Sequence, residues 1–190
     1  MMNIEDDIKK CLQTLNEGGI ILYPTDTVWG LGCDATNEKA VAKIFALKQR
    51  EETKSMIILL NHKNDIEHYS KTPSSSIIEM LNNTERPLTI IYPNAKNIAA
   101  NIISEDGTIA IRIVKDIFCE TLLKSFGKPI VSTSANISGE VGATSFTTIS
   151  TAIKNGADYI VQHRQQEDIF AKPSRILLWK NDEEIVVIRE

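Results

Sequence analysis

Two stretches of short hydroxyl side chains follow apolar strands in the sequence, and hydroxyl groups at such positions can bind the oxygen atoms of a ligand. The first stretch is PTDT at residues 24–27, and the second is STSANISG at residues 132–139. Loops at strand ends hold polar side chains on a rigid scaffold, and ligands bind at that edge of open α/β sheets. Thr and Asp side chains also stabilise ordinary turns by bonding to nearby backbone. The residues alone leave both interpretations open.

A cluster of cations near the end of a predicted helix could bind phosphate. The segment KQREETK contains Lys48, Arg50 and Lys54. Arg can contact two phosphate oxygens at once and Lys supplies a mobile point charge, so a Lys-x-Arg pair could hold a triphosphate. The same cations could instead complement the dipole at a helix C-terminus. Neither G-x-x-x-x-G-K nor G-x-G-x-x-G is present, so a nucleotide would be bound by another geometry.

A further charged residue, Arg112, lies inside the apolar run TIAIRIV at residues 108–114. A charge buried in a strand is costly unless it is paired, so this arginine needs an anion. The anion could be a carboxylate of the protein or one of a substrate, and the sequence does not decide between them.

No side chain is predicted to be a covalent nucleophile, because Cys33 and Ser134 lack an evident histidine partner. We therefore expect catalysis by positioning and charge neutralisation. The three histidines lie in polar helix or loop segments, where a solvated side chain is expected: His62, His68 and His163.

The elements that must position these residues follow from hydrophobic periodicity. Helical spacing predicts a helix over residues 4–16, and Thr36 is predicted to cap a second helix that ends near residues 48–50. Asp116 and Gly127 are start and stop signals for another helix. Further helices are predicted at residues 63–70, 74–83 and 148–155, and strands at residues 19–23, 56–60, 88–92, 108–114, 129–133, 159–162, 175–179 and 184–189.

The order of these elements predicts the fold class. Helices and strands interleave without a strict βαβ alternation, so we expect one α/β (or α+β) domain over residues 1–190, built on an open, twisted, mixed sheet. A composition of 42% hydrophobic and 24% charged residues is ordinary for a globular domain. The formal net charge of -4 argues against a general nucleic-acid coat.

The cysteines and the N-terminus indicate a cellular compartment. Cys11, Cys33 and Cys119 are far apart and include no C-x-x-C pair, so neither a zinc site nor a disulfide framework is expected. The N-terminus, MMNIEDDIKK, is acidic and amphipathic, unlike a signal peptide, and no apolar run approaches the length of a membrane span. We expect a cytoplasmic protein that does not contact membranes.

Five motifs together resemble those of a known family. PTDTVWGLGCDATN, LKQREETKSMIIL, TIAIRIV, PIVSTSANISG and KPSRILLW are similar, in this order, to the YrdC-like family of threonylcarbamoyl-AMP synthases. The resemblance implies a YrdC-like open sheet around a concave, positively lined pocket. It also implies condensation of L-threonine, bicarbonate and ATP to threonylcarbamoyl-AMP and pyrophosphate, with Mg²⁺ carried by ATP. The product would pass to a separate tRNA threonylcarbamoyl transferase complex.

The resemblance also implies roles for individual residues. Thr25, Arg112 and Ser132 would bind threonine, with Arg112 pairing with the threonine carboxylate. Lys48 and Arg50 would be the catalytic residues, acting on the ATP phosphates. No residue is expected to bind a resident metal. The nucleotide-binding set would be Lys48, Arg50, Lys54, Thr108, Ser134, Asn136, Ser174 and Arg189.

Several positions depart from the family pattern. Ser55 replaces a proline, Arg175 replaces the threonine of a P-S-T motif, and RPLT at residues 86–89 replaces P-G-P-x-T. Gly142 stands where many relatives carry a serine near the nucleotide. One hydrogen bond would then be lost, or would be supplied by Thr144 or Ser145.

Two alternative functions stay open at the level of sequence. A non-catalytic module could bind double-stranded RNA weakly in the same cationic hollow, although the acidic net charge weighs against it. Related domains also occur inside hydrogenase-maturation carbamoyltransferases, which act on carbamoyl phosphate. Those proteins are much larger and carry zinc-finger and acylphosphatase segments, which we do not expect here.

Overall fold

Nine strands form one mixed sheet in the computed structural model, which describes residues 3–51, 56–143, 145–167, 173–181 and 184–190. Within these ranges, no helix combines the length and the apolar character needed to cross a membrane. The α-helices are α1 Ile4–Asn16, α2 Glu38–Lys48, α3 Ile66–Tyr69, α4 Ser75–Asn83, α5 Ile117–Phe126 and α6 Thr151–Gly156. The strands are β1 Ile21–Tyr23, β2 Gly30–Asp34, β3 Ile57–Leu60, β4 Leu88–Tyr92, β5 Ile109–Ile113, β6 Ile130–Ser134, β7 Tyr159–Ile160, β8 Arg175–Asn181 and β9 Glu184–Arg189.

The sheet has the strand order β7-β1-β2-β6-β3-β5-β4-β8-β9. Three neighbouring pairs are parallel, namely β1 with β7, β3 with β5, and β4 with β8. The other neighbours pair antiparallel. The predicted open, mixed α/β sheet is confirmed.

The register gives the two faces of the central strands different side chains. Successive residues of a strand point to opposite faces, so paired residues form rows across the sheet. One row is apolar, and each of its members is at most 2% exposed: Cys33, Val131, Ile58, Ile111, Ile90 and Leu177. The adjacent row on the other face consists of Gly32, Ser132, Ile57, Ala110 and Ile91. Three of these five residues are small, namely Gly32, Ser132 and Ala110. The first face builds the core, and the second leaves room for a ligand.

Helix boundaries follow their capping residues. The predicted ends of α1 and α5 are confirmed, since the Asp116 carboxylate accepts from Cys119 N at 3.0 Å and Gly127 ends α5 in the left-handed region at φ 72°. The predicted cap of α2 was wrong. The Asn37 side chain accepts from the first turn of α2, whereas the Thr36 hydroxyl donates to the Asp34 carboxylate at 2.6 Å.

One central strand was missing from the prediction. Strand β2, with the sequence GLGCD, is buried along its whole length between β1 and β6. Glycine is depleted in strands, so the pattern did not indicate one. At Gly32, a Cβ atom would lie 2.7 Å from the Tyr23 ring and 3.0 Å from the Val131 carbonyl oxygen. Glycine is required because the neighbouring strand and ring approach so closely.

Candidate active site

A cavity of about 520 Å³ lies over the face of the sheet that carries the small side chains. Gly30 and Ala110 form part of its floor. A Cβ atom on Gly30 would lie 3.2 Å from the Thr133 carbonyl oxygen, so a larger residue would crowd this floor. The volume suits a small molecule or cofactor. Eight of the predicted site residues line this cavity: Thr25, Arg50, Arg112, Ser132, Ser134, Asn136, Ser174 and Arg189.

The PTDT turn follows β1 and forms one wall. The Thr25 hydroxyl donates to the Val28 carbonyl oxygen at 2.7 Å and accepts from Thr27 N at 3.1 Å. This bonding is the turn-stabilising role that the sequence left open. Thr25 and Thr27 are nevertheless both lining residues of the cavity. The turn therefore presents two threonines to a ligand in a fixed conformation.

Arg112 has a carboxylate partner within the protein. Its guanidinium lies 3.2 Å from Asp26 Oδ1, and it donates to the Thr27 hydroxyl at 3.4 Å. Burial raises the pKa of Asp26, and the charge of Arg112 opposes that rise. Arg112 Nε is buried without a hydrogen-bond partner among the described residues. The arginine is thus held by Asp26 and also lines the cavity.

Asp26 is a residue of the site that the sequence analysis did not single out. It stands between two threonines of a motif that was quoted, and this is the signal that could have identified it. Its partner is 86 positions away in the chain, so only the sheet pairing brings the two together.

The two residues of the Lys-x-Arg pair have different surroundings. Arg50 lines the cavity, whereas Lys48 does not. Lys48 is 1% exposed, and its ammonium donates to the carbonyl oxygens of Ser134 at 2.5 Å and Asn136 at 2.6 Å. Burial, followed by the charge of Arg50, lowers the pKa of Lys48 to about 8. Burial also lowers the pKa of Arg50.

The STSAN segment carries hydroxyl and amide groups into the cavity from the end of β6. Ser132 and Ser134 alternate along the strand and share one face. The Asn136 amide donates to the carbonyl oxygens of Ile137 at 2.9 Å and Glu140 at 3.0 Å. Asn136 Oδ1 is buried and accepts no hydrogen bond within the described part of the chain. Asn136 as a residue lines the cavity.

The C-terminal strands supply the opposite wall. Ser174 is buried, and its hydroxyl lies 2.8 Å from that of Thr89. Arg189 donates to the Ser174 carbonyl oxygen through Nη2 at 2.7 Å and Nε at 3.0 Å. Burial and the charge of Arg112 lower the pKa of Arg189. Arg189 on β9 and Arg112 on β5 both line the cavity, and their charges act on each other.

The structure does not bring every predicted residue to the cavity. Thr108 is not part of the lining, and its hydroxyl donates to the Asp106 carboxylate at 2.7 Å. Ser145 is likewise not part of the lining and bonds to the Thr147 hydroxyl at 2.9 Å. Gly142 does line the cavity. Three further positions that the sequence analysis named lie outside the described residues: Lys54, Ser55 and Thr144.

Fold and site together define a class of protein. An open α/β sheet carries a cavity with three arginines on its walls and with serine, threonine and asparagine side chains between them. Arginine recognises carboxylate and phosphate, and the hydroxyl and amide groups suit a ligand rich in oxygen. The class is that of proteins that bind small anionic or zwitterionic molecules.

Comparison with known sequences identifies the family. Residues 13–190 match the family model Sua5_yciO_yrdC, described as "Telomere recombination". The chain belongs to the Sua5/YciO/YrdC family, which confirms the resemblance of its motifs. A relative from Acinetobacter baumannii, named threonylcarbamoyl-AMP synthase, is 34% identical over 181 residues, which are 92% of this chain and 94% of that protein.

Two solved structures share the fold. P. abyssi Sua5 complexed with L-threonine matches with a TM-score of 0.86 and 24% identity, over 100% of this chain and 55% of that chain. E. coli YciO matches with a TM-score of 0.85 and 23% identity, over 100% of this chain and 91% of that chain. This chain thus spans a little over half of the P. abyssi protein.

Proposed function

We propose that the chain is an L-threonylcarbamoyladenylate synthase, which condenses L-threonine, bicarbonate and ATP to threonylcarbamoyl-AMP and pyrophosphate for the threonylcarbamoyladenosine modification of tRNA. The observation that carries the proposal is the convergence of eight predicted residues, from Thr25 to Arg189, on one cavity. Membership of the family and the 34% identity to a threonylcarbamoyl-AMP synthase support it.

The amino-acid end of the site is assigned to the PTDT turn and its neighbours. Thr25, Arg112 and Ser132 line adjoining parts of the cavity. Threonine carries a carboxylate, which the guanidinium of Arg112 can bind in a charge-assisted pair. Asp26 stays on the protein side of that guanidinium and holds it in place.

The nucleotide end is assigned to Arg50 and the STSAN segment, with the C-terminal wall. Arg50 and Arg189 supply charge for phosphates, and Ser134, Asn136 and Ser174 supply hydroxyl and amide groups. Lys48 would act from behind the segment, because its ammonium holds the carbonyl groups of Ser134 and Asn136. Direct contacts of Lys48, Lys54 and Thr108 with ATP stay predictions.

The chemistry requires orientation more than a reactive side chain. Threonine nitrogen and bicarbonate give a carbamate and water. A carbamate oxygen then forms a bond to the α-phosphorus of ATP, while the bond from that phosphorus to the bridging oxygen breaks and pyrophosphate leaves. Fixed cations stabilise the charge that develops on the leaving group. We treat Mg²⁺ as part of the nucleotide substrate.

A direct assay tests the function. Purified protein is incubated with ATP, bicarbonate and isotopically labelled threonine, and we expect pyrophosphate together with a labelled adenylate. Omitting threonine or bicarbonate should stop pyrophosphate release. ATP cleavage that continues without threonine would contradict the proposal.

The wider context of the enzyme stays predicted. Three predictions are still to be tested: transfer of the product to a tRNA-modifying complex, a cytoplasmic location, and weak binding of RNA. A filter-binding titration with double-stranded RNA at several salt concentrations tests the last, because binding through phosphates weakens steeply as salt rises.

A further inference from the structure

Arg164 connects the PTDT turn to a helix that is distant in sequence. It lies in the turn after β7, and its side chain is 18% exposed. Nη1 donates to Asp116 Oδ2 at 2.9 Å and to the Thr25 carbonyl oxygen at 3.4 Å. Asp116 also caps α5. One guanidinium therefore links the backbone of a cavity-lining residue to the N-terminus of a packed helix.

The backbone at Arg164 is itself held in place. Its φ of 64° lies in the left-handed region, which residues other than glycine seldom adopt unless the surroundings enforce it. The fully buried carboxylate of Asp7 in α1 accepts from the backbone nitrogens of Gln162 and His163, both at 2.9 Å. It also accepts from the Tyr159 hydroxyl at 2.5 Å. Helix α1 thus fixes the segment from which the Arg164 side chain extends.

The same guanidinium belongs to a cluster of alternating charges. Arg112 pairs with Asp26. Arg164 pairs with Asp116 and, on its more exposed side, with Glu167 at 2.8 Å. Burial raises the pKa of Asp26, the charges of both arginines oppose that rise, and the charge of Asp116 adds to it. Without Arg164, the charge of Asp116 would act on Asp26 with Arg112 as the remaining arginine, and we expect that repulsion to disturb the PTDT turn.

We propose that Arg164 is a positioning residue for the threonine end of the site. It fixes the Thr25 backbone and balances the charge of Asp116 beside Asp26, so that Arg112 keeps its orientation toward the substrate carboxylate. This inference rests on the proposed function. It predicts that loss of Arg164 weakens the use of threonine and leaves the use of ATP almost unchanged, because the nucleotide end lies on other elements.

The test compares the KM values of two substrates in one set of variants. We expect Arg164→Met to raise the KM for threonine at least about tenfold, since small misplacements in a site are costly, while the KM for ATP changes by less than about twofold. Arg164→Lys should recover part of the loss, because it keeps the charge and one donor. Asp116→Asn should give a smaller rise, because asparagine still caps α5 but carries no charge.

A matched control removes another ion pair. Lys128 pairs with Asp34 at 2.8 Å, at the end of β2 that is remote from the cavity-lining Gly30. Lys128→Met should leave both KM values unchanged. Thermal unfolding checks that each variant is folded, and if Arg164→Met is not, the Arg164→Lys and Asp116→Asn variants decide.

The outcomes separate the two proposals. Wild-type protein that makes adenylate, together with a selective rise in the threonine KM, supports the role of Arg164. Active wild type with unchanged KM values, or with both raised equally, overturns this inference and leaves the proposed function standing. Wild type that makes no adenylate overturns both.

Discussion

The proposed amino-acid end and the proposed nucleotide end of the cavity differ in how their arginines are paired with carboxylates. At the amino-acid end, Arg112 is already paired with Asp26. At the nucleotide end, Arg50 and Arg189 line the walls, and Glu140 is the one carboxylate among the described lining residues. Burial lowers the pKa of both arginines. In the proposed assignment, the first end holds an arginine that is already paired with a carboxylate and suits a zwitterion, whereas the second offers two arginines to the phosphates of a polyanion.

The largest effect is expected from breaking the pair at the amino-acid end. Arg112→Met should abolish measurable use of threonine and lower the free energy of unfolding by up to about 3 kcal/mol, because it leaves a carboxylate buried without its partner. Urea denaturation measures the loss of stability. Removing the carboxylate as well, in Arg112→Met with Asp26→Asn, should restore most of the stability and none of the activity. A double variant no more stable than the single one would contradict the pairing.

The next effect is expected at the nucleotide end. Arg50→Ala should lower turnover by more than about tenfold, since a charge-assisted contact with phosphate contributes on the order of 1.5 to 3 kcal/mol. Steady-state kinetics with ATP varied would show it. Unchanged turnover would remove Arg50 from the phosphate site.

The lowered pKa of Lys48 predicts two opposite effects of raising the pH: the protein becomes more stable, and ATP binds more weakly. The pKa is lowered from 10.5 to about 8. As the pH rises through this window, the unfolded chain holds a proton that the folded chain has lost, so this group's contribution to the free energy of unfolding increases. In the proposed site the charged ammonium holds the Ser134 and Asn136 carbonyl groups from behind the nucleotide end. If ATP binding requires that charged form, the affinity should fall about threefold to fivefold half a unit above the pKa.

A neutral variant isolates this titration from other groups. Calorimetric titration with ATP across pH should show the fall in wild type and a flat profile in Lys48→Met, in which no ammonium titrates. A fall of equal size in both proteins would assign the effect to another group.

The smallest effect is expected from a residue that departs from the family pattern. A Cβ atom on Gly142 would meet no atom of the described residues within 4 Å apart from its two chain neighbours, so a serine fits there without strain from those contacts. Gly142→Ser should lower the KM for ATP by about twofold to fivefold, the effect of one added hydrogen bond, and leave the KM for threonine unchanged. A change in the KM for threonine would contradict the assignment of Gly142 to the nucleotide end alone.

Local signals made much of this fold predictable from sequence. Asn3 and Gly18 bracket α1, and Asp116 and Gly127 bracket α5, so both helices were predicted with their correct ends. Strand β2 was not predicted, because its glycines allow close packing between strands and no local sequence pattern indicates such packing. The cap of α2 was misplaced by one residue because Thr36 and Asn37 are both good caps.

The site was predictable in its members and less so in their contacts. Motif residues such as Ser134 and Asn136 were expected at the cavity and line it. The position of Lys48 behind them was not predictable, because it depends on carbonyl groups 86 and 88 positions away. The pairing of Asp26 with Arg112 and the contact of Arg164 with Thr25 likewise arise only when distant segments meet.

The division of the central strands into a bulky face and a small-residue face makes the cavity sensitive to alignment during folding. If β3, β4 and β5 each shifted by one position relative to their neighbours, Ile58, Ile90 and Ile111 would turn into the space above the sheet. A chain collapsed in that wrong alignment could bury as much apolar surface and still have no room for a substrate. The proposed binding of threonine or ATP would therefore report that the strands have assembled in their native alignment.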